Sequence, residues 1–184
     1  MKKVILLAAV AVMAVFSANA QAGKWYIGTS GIGDSFITNN YNFITGFATT
    51  NGNTMVGIAP EVGYNLKDNI SLGLGLGVTS IGKFNGGADQ GTNFGVNPYV
   101  RWYAWQKDNF SFYCQGNLRY ATNDKSKIYS YGIDVNPGIA YSFNNHFGMT
   151  ATIGALGWQK YKGGKGIFGL EIDGGLGFGL SYTF

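Results

Sequence analysis

The segment from Phe168 to Phe184 alternates with a period of two, and that pattern constrains the fold more than any other feature. Phe168, Leu170, Ile172, Leu176, Phe178, Leu180, Tyr182 and Phe184 share one register, interrupted only at Gly174. Between them stand Gly169, Glu171, Asp173, Gly175, Gly177, Gly179, Ser181 and Thr183. Successive strand side chains point to opposite faces, so one face is oily and the other is small or charged. A water-facing surface would carry large polar groups. Glycine instead suits a narrow, crowded interior. The pattern predicts apolar side chains outside and a packed polar interior.

The alternation recurs upstream. Ile70 to Val78, Phe94 to Trp102, Phe110 to Tyr120, Tyr131 to Phe143, Phe147 to Ala155 and Val56 to Leu66 each place apolar residues at every second position, and Lys24 to about Ser30 begins the series. The total is eight strands. Their connections alternate between tight polar turns (Lys67–Asn69, Gln106–Asn109, Asn144–His146) and longer loops, roughly 31–54, 83–92, 122–130 and 157–166. Short turns on one rim and long loops on the other predict an all-β, eight-stranded antiparallel transmembrane barrel in an up-and-down meander. Both chain ends would then lie on the short-turn side. Ala59-Pro60, Asn97-Pro98 and Asn136-Pro137 recur 38 and 39 residues apart, one hairpin per period. Proline cannot donate to a ladder, so each should mark a bulge or an unpaired position.

Composition agrees. Charged residues make up 12 % of the chain, against about 25 % in ordinary soluble domains, while aromatics reach 16 %. No stretch after residue 20 is continuously apolar over helix length. The start, Met1-Lys2-Lys3, a 13-residue apolar run from Val4 to Phe16 and then Ser17-Ala18-Asn19-Ala20, has the layout of a signal peptide. Cleavage is expected after Ala20, with Ala22 as the alternative, leaving residues 21–184 as one barrel domain. The run is shorter than the roughly 20 residues of a membrane-spanning anchor. Removing Lys2 and Lys3 leaves 11 basic and 9 acidic side chains, which gives no reason to expect nucleic acid as a partner. Cys114 is the only cysteine, so an intramolecular disulfide is excluded.

The signal peptide, the Pro-x-x-x-(Tyr/Trp) strands, the glycine-alternating strands and the terminal Tyr182-Thr183-Phe184 resemble the outer-membrane β-barrel domain family, with small eight-stranded barrels of the OmpA and OmpX type as the nearest architecture. The resemblance covers the whole mature chain. It implies the bacterial outer membrane as location, outer-membrane lipid as surroundings and a monomeric barrel. It also implies that Phe184 belongs to the signal read by the barrel-assembly machinery. Packing of Phe184 against lipid is compatible with that role.

An eight-stranded barrel is filled by its own side chains. The register sends Glu61, Arg101, Arg119, Asp134, Glu171 and Asp173 inward, along with Tyr99, Tyr103, Tyr113, Gln115 and Asn117. Counted from the turns, Glu61 matches Arg101 in depth, and Arg119 matches Asp134. Buried charges need partners, which makes this set either an ion-pair plug or the gate of a narrow pore. His146 is the only histidine and falls in a short turn, so no His-Ser-acid set or metal site is expected, nor any cofactor or enzymatic activity. The loops remain the place for an extracellular partner. The last carries Lys160, Lys162 and Lys165, suited to lipid head groups or simply to water. Two functions stay open: a structural or interaction scaffold, and a narrow channel for ions or small polar solutes.

Overall fold

The computed structural model describes residues 25–32, 43, 45–50, 53–83 and 89–184, with some strand segments, 171–176 among them, in backbone only. The proposed leader, residues 1–20, lies outside the described residues. All regular structure described is strand: β1 Trp25–Ile32, β2 Gly46–Thr50, β3 Asn53–Ile58, β4 Pro60–Lys67, β5 Ile70–Lys83, β6 Asp89–Lys107, β7 Phe110–Asn123, β8 Tyr129–Ser142, β9 Phe147–Tyr161 and β10 Gly166–Thr183. β3 and β4 are two halves of one stave, interrupted at Ala59. Antiparallel pairing runs around the ring and closes where Tyr26 of β1 opposes Thr183 of β10. The result is a closed eight-stranded meander.

The two faces follow the alternation. Val56, Phe112, Leu118, Ile133 and Leu180 are each more than half exposed on the outer wall, whereas Glu61, Ser71, Asn117 and Asp134 are buried inside. Oil outside and polar groups inside invert the usual partition, in which large apolar side chains hide from water. The short turns gather on one rim, where Asp108 takes the positive φ (52°) that a two-residue hairpin demands. The Phe184 amide donates to the Trp25 carbonyl there at 2.9 Å, so first and last strands meet at the short-turn rim.

Each proline coincides with a ladder irregularity, as its missing N–H requires. Pro60 follows the break at Ala59, whose amide is taken up by Thr45 Oγ1 at 2.9 Å. At Asn97 and Pro98 the β6–β7 pairing lapses between Val96 opposite Tyr120 and Tyr99 opposite Asn117, with the register the same on either side. Pro137 lies in the register shift between β8 and β9, across from Gly154 at φ 75°. There Asn136 Nδ2 donates to the Gly154 carbonyl at 3.0 Å, occupying a backbone acceptor that the bulge frees.

That bulge corrects two sequence expectations. Beyond Gly154 the alternation reverses, so Ala155 is buried rather than outward, and Leu156 and Trp158 take the outer face. The strand also runs on to Tyr161, leaving 162–165 as the connection where a loop over 157–166 was expected. Lys160 is therefore a strand residue opposite Tyr131 and Gly166. The first long loop differs as well. It contains β2, which pairs with the upper part of the second stave, Phe47 opposite Val56. Among its described residues, β2 is a strand of only five residues, too short to stand out as a period-two run.

Candidate functional site

The polar interior is organised around two arginines. Arg101 comes from β6, where inward parity buries it to 4 % exposure. Its Nη2 stands 3.8 Å from Glu61 Oε1, and its Nε donates to Gln115 Oε1 at 2.8 Å. Gln115 donates onward to Asn117 Oδ1 at 2.8 Å, and Asn117 Nδ2 donates to Asp134 Oδ1 at 2.8 Å and also to Asn136 Oδ1. Arg119 completes the chain, with Nε 2.7 Å from Asp134 Oδ2 and Nη2 3.1 Å from Oδ1, a fork-on-carboxylate contact. Asn97 joins through Asn117 Oδ1 at 3.0 Å. One continuous network thus spans β4, β6, β7 and β8, and neither arginine enters the low-dielectric interior without an acid beside it.

Aromatic rings wall the first arginine. Tyr26, Tyr99 and Tyr113 each lie over the glycine directly opposite them on the neighbouring strand, Gly63, Gly73 and Gly138 respectively. In each case a β carbon on the glycine would collide with the ring. These glycines are therefore vacant places that the tyrosines fill, the arrangement that rescues a strand weakened by glycine. The Tyr26 and Tyr99 hydroxyls are 2.7 Å apart. The Arg101 guanidinium stands 5.2 Å from the Tyr99 ring centre and 5.0 Å from that of Tyr113, within cation–π range.

Phe43, from the first long loop, caps the second arginine. It is 4 % exposed, packs where Gly95 offers no side chain, and lies 5.9 Å from the Arg119 guanidinium. Thr45, two residues on, donates to the Ser30 carbonyl at 3.0 Å and pins this segment to the wall. Between Phe43 and the tyrosine layer the interior holds a cavity of about 40 Å³, room for a few waters. Below the layer the barrel widens into a polar vestibule of about 620 Å³ at the short-turn rim, lined by Tyr103, Lys67, Asp108 and His146 among others.

The structure thus brings Glu61 to Arg101 and Arg119 to Asp134. The side chains of Glu171 and Asp173 lie outside the described residues, where β10 shifts register between Glu171 and Leu176. Phe184 packs on Tyr182, centroids 5.2 Å apart. Lys160, Lys162 and Lys165 sit at the long-loop rim, with Lys160 one ladder row above Arg119 but on the outer face. Sequence reasoning missed Tyr26, Phe43, Asn97 and Asn136. Both asparagines were findable, since each precedes the proline of the repeat with inward parity. Phe43 had no such signal. The described residues include no cluster of three or more His, Cys, Asp or Glu able to hold a metal. Neither a protein-family model nor a curated protein matches the chain.

Proposed function

We propose that the protein is exported to the bacterial outer membrane, where it acts as a monomeric structural and interaction scaffold, a rigid barrel that presents its long loops to partners. The carrying observation is the interior. A continuous chain of hydrogen bonds and ion pairs runs from Glu61 to Arg119 across the described interior, walled by three tyrosines and capped by Phe43, which is how a plugged lumen is built. The outer wall supports insertion into lipid, because a belt of half-exposed Leu, Ile, Val and Phe would be costly in water over so large an area. The reading is non-enzymatic and without a cofactor, in keeping with a sequence whose single histidine, His146, stands in a short turn. The resemblance to small outer-membrane barrels supports the same location.

A narrow channel is the second reading, favoured by the open vestibule of about 620 Å³ below Arg101. Planar-bilayer recording separates the two. A scaffold gives silent wild-type protein, and Phe43→Ala alone leaves it silent because the tyrosine layer remains. Steady wild-type current with selectivity altered by Arg101→Ala would replace the scaffold with the channel. Affinity capture of envelope and extracellular partners, with and without the first long loop, then tests the loops.

A further inference from the structure

We propose that the long-loop rim over β8, β9 and β10 binds the phosphate groups of an anionic lipid whose acyl chains lie down the wall beneath it. The inference rests on the barrel being inserted in a membrane. Three outward rows cross these strands. The top row is Tyr131, Lys160 and Gly166; the next is Ile133, Trp158 and Phe168; the third is Val135, Leu156 and Leu170. Rows two residues apart are separated by about 6.6 Å, so charge, aromatic ring and hydrocarbon succeed one another within about 13 Å. That is the polarity profile of one amphiphile, from phosphate through the interfacial region to its chains.

The bulge at Gly154 sets this alignment, since it turns Trp158 and Lys160 outward. Gly166 then leaves space that Trp158 Nε1 occupies, so the indole donor sits level with Lys160. Tyr131 packs edge-on against Trp158 at 5.7 Å. Above them, Lys162 reaches over the Tyr129 ring at 5.8 Å and toward the Lys127 carbonyl at 3.5 Å, which joins the 162–165 connection to the neighbouring 124–128 turn. Lys127, Lys160, Lys162 and Lys165 thereby share one sector of the rim, while the Lys125 side chain packs toward Gly91 on β6. The only acid in the two connections is Asp124, and its Oδ1 accepts from the Thr92 amide at 2.8 Å. A cationic sector directly above an aromatic and apolar strip fits a phosphorylated lipid. A soluble polyanion would have no use for the strip.

The test uses the full mature barrel in phosphatidylcholine vesicles doped with a bis-phosphorylated glucosamine lipid, with the dephosphorylated lipid and inorganic phosphate as comparisons. Each lysine at an anionic surface is worth about fivefold in affinity, so Lys127→Gln/Lys160→Gln/Lys162→Gln should bind the phosphorylated lipid about 100-fold more weakly. Lys67→Gln/Lys107→Gln, at the other rim, should bind like wild type, and the dephosphorylated lipid should show little preference for the barrel. Equal binding of the two lipids, equal binding by the triple variant, or displacement of the lipid by millimolar inorganic phosphate overturns the proposal. Protein that fails to float with the vesicles rejects the membrane reading itself. Protein that floats without discriminating rejects only the lipid site.

Discussion

Tyr99 lies across the barrel wall over Gly73, its direct partner on the adjacent strand, and occupies the place where a β carbon would stand. Two residues along the same strand, Gly75 is different: the nearest atoms a β carbon there would meet are those of Asn97, at an ordinary 3.6–3.8 Å. Gly73→Ala should therefore cost about 1–3 kcal/mol by displacing the ring and disturbing the Tyr26–Tyr99 hydroxyl contact. Gly75→Ala should be neutral or stabilise by up to about 1 kcal/mol, through loss of unfolded-state freedom. Urea unfolding in vesicles, followed by tryptophan fluorescence, measures both. Equal losses would mean that the tyrosine does not fill the glycine's space.

Arg119→Ala would strip the buried Asp134 carboxylate of its cation and leave it, among the described residues, the Asn117 donor. Removing one member of a buried pair costs about 3–5 kcal/mol, whereas a hydrated pair in an open pore should cost about 1 kcal/mol or less. The double variant Arg119→Ala/Asp134→Asn should regain part of the loss. The coupling energy of the cycle is the quantity to read, and additivity would argue for a wet lumen.

Leu74 points outward from β5 opposite Pro98 and is 38 % exposed. In vesicles, Leu74→Arg should destabilise the barrel by about 2–4 kcal/mol if the residue faces hydrocarbon near the bilayer midplane. Unchanged unfolding in lipid would place water, not acyl chains, against this wall.

Deleting Phe184 removes a ring packed on Tyr182 and the amide that donates to Trp25. The yield of folded, heat-modifiable barrel from cells should fall well below that obtained on deleting Gly163 and Gly164, which lie in the 162–165 connection. Equal yields would deny Phe184 a part in assembly.

Period-two alternation made the eight staves, the inward arginines and their acids legible, because a strand has only two faces and turns supply a common origin for depth. The same logic failed beyond Gly154. A single bulged residue reverses inside and outside, and nothing in the sequence reveals it, since Gly154 and Ala155 are small enough to fit either face. The turn at the end of β9 was misplaced for a related reason: glycines at 154, 157, 163, 164 and 166 look alike in sequence, and only the last four residues before Gly166 form the connection. Alternating glycines predicted a crowded interior but could not say which were covered by rings. That depends on the cross-strand partner, which is a property of register. Phe43 was illegible because its loop also holds Phe36, Tyr41 and Phe47, and nothing in the sequence marks this ring as the one that lies over Arg119.

The seam between β1 and β10 has a kinetic meaning. Most ladders join strands that follow one another along the chain, so they form by closing short loops. The seam pairs Tyr26 with Thr183 and Ile27 with Tyr182, residues separated by nearly the whole described chain. Closing so large a loop is entropically expensive and comes before the contacts that repay it. Until it happens, two strands display open edges, and each edge can recruit another chain as readily as its own partner. Productive closure thus competes with association between incomplete barrels. The aromatic contacts of Tyr182 with Phe147 at 4.9 Å and with His146 at 5.5 Å hold the last strand against its preceding neighbour, so that it waits in register for the first.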